Sequence, residues 1–206
     1  MILEMFPIYV YRSPVEDHEK IKETCLEYVE REYEKDSSTF KDPWDFDIFT
    51  TYGRDVDFSW QEILPSYIKN IEEMARELNI SGAVGINNAW LNAYKKGQSH
   101  DLHDHLPSQF SAIHYVKYDS NLHTPTIFVN PYRQVSISSA PRYDTSDMSK
   151  VPPMWGPQSF LNVEEGDIVI FPSFFEHKVA KQSSDEMRVT LSFNFSFYEQ
   201  PPSFPR

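Results

Sequence analysis

A chain of 206 residues is long enough for one well-cored domain, or a core domain with a helical extension, and too short for two large ones. A formal net charge of -12 argues against nonspecific binding to a nucleic-acid backbone, and the single cysteine, Cys25, excludes an internal disulfide and any cysteine-based zinc site. There is no apolar run of roughly 18 residues to cross a membrane and no charged-then-apolar leader, so the expectation is a soluble, cytoplasmic protein. With 15 Pro and 15% aromatic residues against 6 Gly, the composition is that of a folded domain with many ordered turns.

In chain order, the apolar stretch from Met5 to Arg12 reads as a strand. Ser13 and Pro14 then read as the N-cap and first residue of an amphipathic helix running to Lys35, with Ile21, Cys25, Tyr28 and Val29 on its inner face. Residues 36–57 mix polar and aromatic types without a period. Trp60, Ile63, Leu64, Tyr67, Ile68, Ile71, Met74, Ala75 and Leu78 restore the helical spacing; Pro65 interrupts the first turn and the helix ends near Asn79. Short strands are expected from there on, at Ala83 to Asn92, Phe110 to Lys117, Thr126 to Val129 and Val135 to Ser138. Four more follow at Phe160 to Val163, Asp167 to Phe171, His177 to Val179 and Val189 to Tyr198, with turn signals such as Lys96-Gly97 and Glu165-Gly166 between strands. In the last strand Val189, Leu191, Phe193, Phe195 and Phe197 alternate with Thr190, Ser192, Asn194 and Ser196, so one face is core and the other meets something polar. The fold class is mainly β with flanking helices around a jelly-roll core. The division expected is 1–80 as a strand and helices packing on the core, 81–200 as the core, and 201–206 as a Pro-rich tail.

Three of the seven histidines, His100, His103 and His105, fall within six residues, and His177 stands alone after an apolar run. On a strand, residues i and i+2 share a face, so His103 and His105 can aim at one point while His177 arrives from a second strand. Imidazole suits Fe, Zn, Cu and Ni alike. Asp101 shares the parity of the two histidines and is the credible carboxylate to replace one of them. Asp104 points the other way on a regular strand, and His100 suits the substrate entrance.

Taken together, Trp90-Leu-Asn92, the histidine segment from Gly97, Ser111 to Val116, Gly166 to Ser173 with His177, and Arg188 to Asn194 resemble the 2-oxoglutarate- and Fe(II)-dependent oxygenases. The resemblance covers about Ala83 to Tyr198 and is strongest to a bacterial and phage His-x-His branch similar to prolyl hydroxylases. It implies a double-stranded β-helix (jelly roll, cupin-like) core in which His103, His105 and His177 hold Fe(II), with 2-oxoglutarate and O2 as cosubstrates. Most of the superfamily has a carboxylate where His105 stands, so this chain departs from the common pattern. The resemblance further implies that Arg188, eleven residues after His177, pairs with the distal carboxylate of 2-oxoglutarate, aided by Thr190, and that Tyr94 and Tyr115 face the cosubstrate.

The reaction implied is hydroxylation of a small-molecule or peptide substrate, with 2-oxoglutarate decarboxylated to succinate. Substrate is expected to enter over the segment from Pro131 to Trp155, which carries Arg133 and Arg142. Two other readings stand beside it: a three-His cupin-type dioxygenase that needs no 2-oxoglutarate, and a non-catalytic binding module on a decayed oxygenase fold.

Overall fold

The computed structural model describes residues 7–35, 48–133 and 156–199. The strand expected at Val135 to Ser138, Arg142 and the Pro-rich tail lie outside them. Ten strands are described: β1 (Tyr11–Pro14), β2 (Phe49–Thr50), β3 (Ala83–Tyr94), β4 (His100–His103), β5 (Phe110–Lys117), β6 (Thr126–Val129), β7 (Gln158–Phe160), β8 (Asp167–Pro172), β9 (His177–Val179) and β10 (Arg188–Tyr198). The helices are α1 (His18–Lys35), α2 (Trp60–Ile63) and α3 (Ile68–Glu77), with a 3-10 turn at Leu64–Tyr67 joining the last two. A six-stranded antiparallel sheet runs in the order β1-β8-β5-β10-β3-β2, and a four-stranded one in the order β4-β9-β6-β7. The fold is the jelly roll.

The strand β10 explains why both sheet faces are covered. Val189, Leu191, Phe193 and Phe195 are buried in a cluster with Ile21, Cys25, Tyr28 and Val29 of α1 and Ile71 and Met74 of α3. Arg188, Thr190, Ser192 and Asn194 are buried as well, on the opposite face of the strand. In β8, Ile168 and Ile170 face the helices, while Val169 and Phe171 pack with Ile113, Tyr115 and Phe128 between the two sheets. A strand packed on both faces reads as a continuous apolar run, as β8 does.

The N-terminal segment differs from expectation in two respects: the strand expected from Met5 to Arg12 lies at Tyr11–Pro14, with residues 7–10 outside it, and the helix starts later. Ser13 and Pro14 do not start a helix; they end β1, paired with Ile168 and Asp167, and α1 begins at His18. β1 is the outer strand of its sheet, where a residue without an N–H is tolerated. Arg12 holds the register with an ion pair to Asp167 at 2.9 Å, and the Asn70 amide donates to the Ser13 hydroxyl at 3.2 Å. The Pro65 interruption is the 3-10 turn, and α3 stops where Asn79 adopts φ 53°. The Ile80 amide donates to the Ala75 carbonyl at 2.8 Å and Asn79 to Arg76 at 3.3 Å, the paired bonds of a Schellman end. Strand β2, within the aperiodic stretch, was not expected.

A buried polar contact ties α1 to the large sheet. His18 Nδ1 lies 3.0 Å from His114 Nε2, and the Tyr67 hydroxyl lies 2.8 Å from His114 Nδ1. Gly166, at φ 90°, makes room for the His18 ring, since a Cβ there would come within 3.2 Å of it. Burial, and then the neighbouring His18, push His114 down to about 3. An unfolded histidine takes up its proton near pH ~6.5, so the unfolded chain binds more protons between there and about 3. This contribution is fully present above the unfolded value and is lost as pH falls through that window, at up to about 1.4 kcal/mol per pH unit. We expect His114→Gln to reduce the loss of stability between pH 7 and pH 5, measured by urea denaturation, by up to about 2 kcal/mol.

Candidate metal and cosubstrate site

His103 ends β4 and His177 opens β9, and the two are direct cross-strand neighbours. The ladder between His100 and His103 is irregular, and His105 lies beyond the end of the strand, where its backbone N–H donates to the Ser173 carbonyl at 2.9 Å. His103 and His105 therefore converge, but not by the simple alternation that the spacing suggests. The His103 and His177 rings are 4.3 Å apart between centroids, and each is 5.0 Å from His105. One ring nitrogen from each of the three lies within 4.8 Å of the others.

The tautomers follow from the partners. His103 Nδ1 is 2.7 Å from the Asp101 carbonyl and His177 Nδ1 is 3.0 Å from the Phe175 carbonyl. A carbonyl only accepts, so each Nδ1 carries a proton, which in the neutral ring leaves the Nε2 lone pair free. His177 is 3% exposed. Burial, followed by the charge of His103, lowers His105 to about 3 and holds His177 well below the usual imidazole range. Both are neutral at pH 7, the state a metal needs.

Neither neighbouring aspartate joins the group. Asp101 is exposed, and Asp104 is exposed with its Oδ1 accepting the Leu106 N–H at 3.1 Å. Among the described residues the three histidines form the cluster without a carboxylate. His100 stacks on His103 at 4.1 Å with the planes 16° apart, and its Nδ1 lies 3.3 Å from the Tyr94 hydroxyl.

Arg188 opens β10 opposite Tyr94 and is 1% exposed. Its Nη2 donates to the Thr126 hydroxyl at 3.3 Å, while Nε and Nη1 have no hydrogen-bond partner among the described residues. Tyrosine rings surround it, with Tyr94 at 5.0 Å, Tyr115 at 5.4 Å and Tyr118 at 6.0 Å from the guanidinium carbon. A buried cation without a countercharge is costly, and ring faces offset only part of that cost. The same cavity is lined by His103, His105, His177, Tyr94, Thr126, Arg188 and Thr190. Tyr115 does not line it; its ring backs the guanidinium, and its backbone pairs with Thr190.

The sequence reading missed Thr126 and Tyr118. Nothing in their spacing distinguishes them from other strand residues. Ser192, which also lines the cavity, was legible through its place in the polar alternation of β10. Arg133 is paired with Glu176 at 2.6 Å.

A family model described as "Putative 2OG-Fe(II) oxygenase" matches residues 88–194, more than half of the chain, from within β3 into β10. The chain belongs to the 2OG-Fe(II) oxygenases. As a member it is an oxidoreductase that uses Fe(II), 2-oxoglutarate and O2. No curated protein matches its sequence. Among solved structures, this oxygenase resembles AviO1 from Streptomyces viridochromogenes Tue57 at TM-score 0.60 and 13% identity, over 97% of this chain and 92% of that one. A prolyl-4-hydroxylase from Pseudomonas putida aligns at TM-score 0.54 and 12% identity, over 93% of this chain and 94% of the other. HygX from Streptomyces hygroscopicus, solved with nickel and 2-oxoglutarate bound, aligns at TM-score 0.54 and 12% identity, over 96% of this chain and 84% of the other. At these identities the likeness is one of fold. The donor set of this chain fits the cofactors: three convergent imidazoles suit a first-row divalent metal, and a buried guanidinium with two unused donor atoms suits a carboxylate.

Proposed function

We propose that this oxygenase is a hydroxylase in which His103, His105 and His177 hold Fe(II) and Arg188 binds the distal carboxylate of 2-oxoglutarate. The observation that carries the reading is the buried guanidinium with two unused donor atoms, lining one cavity with the three histidines. Thr190 and Thr126 offer hydroxyls to the same carboxylate, and Tyr94 walls the cavity between Arg188 and His100. Tyr115 holds the guanidinium from behind. In this reading residues 81–200 carry the chemistry and residues 1–80 buttress them. The substrate is a small molecule or a peptidyl residue.

The residues prepare the reaction in three ways. The carbonyls of Asp101 and Phe175 hold two imidazoles by Nδ1, which leaves Nε2 as the atom to meet a metal. Arg188 sets the cosubstrate's orientation through a fork that matches a carboxylate in two places. The apolar packing of Phe128 and Phe171 around His177 excludes water from that side. When bound, iron, 2-oxoglutarate and O2 supply the oxidising power that converts a C–H bond to C–OH, while 2-oxoglutarate loses CO2 and becomes succinate. A three-His dioxygenase without 2-oxoglutarate would leave the buried Arg188 without a role.

The test is anaerobic titration of the purified protein with Fe(II) and then 2-oxoglutarate. A visible metal-to-ligand charge-transfer band is expected; iron binding with no band overturns the cosubstrate assignment. Asp101→Ala is expected to change iron affinity by no more than about twofold in equilibrium dialysis, because the side chain is exposed and the bond to His103 uses its backbone. A larger loss would make Asp101 a ligand.

A further inference from the structure

Outside the histidine cluster a second, wider groove shares Trp90, His100, His103 and His105 with the inner cavity. Among the described residues no Lys or Arg lines it, and the one carboxylate they contribute, Asp104, is engaged with the Leu106 backbone. Three carboxamides line it, Asn87 and Asn88 on β3 and Asn194 on β10, of which Asn88 and Asn194 are direct cross-strand partners. Directly opposed side chains have Cβ atoms roughly 4.5–5.5 Å apart.

The backbone keeps both amides available. The β3–β10 register shifts just after this pair, so that Phe195 pairs with Ile86 and Asn87 becomes the extra residue of a bulge. Asn87 is fully used: its Nδ2 donates to Ser108 at 2.7 Å and Ser196 at 3.2 Å, and its Oδ1 accepts from Tyr198 at 3.1 Å. Asn88, one residue on, is exposed and makes no side-chain hydrogen bond among the described residues. Asn194 is 3% exposed, and its Oδ1 accepts the Ser111 hydroxyl at 2.8 Å. The Ser111 proton is thereby committed, so the Ser173 hydroxyl, 2.8 Å away, donates to Ser111. This chain fixes the Asn194 amide with its oxygen inward and leaves Nδ2 without a partner among the described residues, at the groove wall.

We infer that Asn88 and Asn194 are the substrate-orienting pair of this oxygenase and that they take a neutral amide. The inference rests on the reading of the histidine cluster as the reaction centre. An amide carbonyl accepts from Asn194 Nδ2 while the amide N–H donates to Asn88 Oδ1, and the rings of Tyr52 and Trp90, 5.0 Å apart, flank the groove. An ionised group placed between the two amides would lose water without gaining a countercharge from the described residues of the groove. A neutral amide satisfies both unused side chains at no such cost.

The amide comes from a free carboxamide or from a peptide bond, and one experiment separates them. Anaerobic protein loaded with Fe(II) and 2-oxoglutarate is titrated with benzamide, benzoate and N-acetyl-trialanine amide, and binding is read by tryptophan fluorescence, since Trp90 lines the groove. Benzamide should bind at least about tenfold more tightly than benzoate, and Asn88→Leu should weaken benzamide by about tenfold. Asn88 is exposed, so that variant folds. Tighter binding of the capped peptide assigns a peptide substrate, and equal or weaker binding a small carboxamide. Absence of benzamide binding, equal binding of benzoate, or indifference to Asn88→Leu overturns the inference. The charge-transfer band of the starting complex separates the two failures: if the band forms and benzamide does not bind, only the amide assignment falls; if no band forms, the reading of the centre falls.

Discussion

Replacing Arg188 by methionine is expected to stabilise the ligand-free protein while removing its response to 2-oxoglutarate. The two effects have opposite signs because they share one cause. In the free protein the guanidinium is 1% exposed, with a single bond to Thr126 and two donor atoms unused, so its desolvation is incompletely offset. Exchanging a poorly compensated buried charge for an apolar side chain of similar length is commonly neutral or stabilising, by about 1–4 kcal/mol. In the loaded protein as proposed, the same cation pairs with the cosubstrate carboxylate, and losing one partner of a buried, hydrogen-bonded charge pair costs about 2–5 kcal/mol, a fall in affinity of roughly 30-fold or more. Urea denaturation without cosubstrate should therefore give a midpoint at or above wild type, while the charge-transfer band should require far more 2-oxoglutarate. Iron content should not change. Equal 2-oxoglutarate affinity in Arg188→Met and wild type would sink the cosubstrate assignment.

The second large effect is at His177. His177→Ala is expected to abolish Fe(II) binding, with a loss beyond the ~100-fold that outer partners of metal ligands are worth. Three ligands are available among the described residues and no carboxylate stands by to replace one. His177 is also the most enclosed of the three, packed at 4.9 Å against Phe171 and 6.0 Å against Phe128. The substitution therefore opens a cavity as well as removing a donor, and far-ultraviolet circular dichroism should accompany the metal analysis. His177→Gln keeps most of the volume and should lose iron equally. Full iron occupancy in the glutamine variant would show that His103 and His105 recruit a ligand from elsewhere.

Much of this site was legible because its signals are local. The alternation in β10 identified a polar face, and the structure lines the cavity with that face at Arg188, Thr190 and Ser192. The spacing of His103, His105 and His177 pointed to one cluster, and they form it, although the reason offered was too simple. Strand parity assumed a regular strand through His105, whereas the ladder is irregular after His100 and the convergence depends on Ser173 holding the His105 backbone. Ser13 and Pro14 misled for a related reason: a Ser-Pro step suits a helix start and an outer strand equally, and only the pairing with β8 decides between them. Thr126 meets Arg188 across 62 positions of sequence, and the freedom of Asn88 depends on a bulge defined by β10. Features made by pairing between distant segments leave no mark in either segment alone.

The two-sidedness of β10 also constrains how this enzyme can diversify. Because successive residues of a strand point to opposite faces, one inserted or deleted residue inside it would exchange the roles of the two rows. A deletion just after Arg188 would turn Leu191 and Phe193 toward the histidines, and Ser192 and Asn194 toward the apolar helices that now cover Val189 and Leu191. Core and chemistry would be lost in one step. The strand can therefore change its composition by substitution, one face at a time, but not its length, and new specificities are expected to arise from side-chain exchanges along the polar row or from changes in loop length elsewhere.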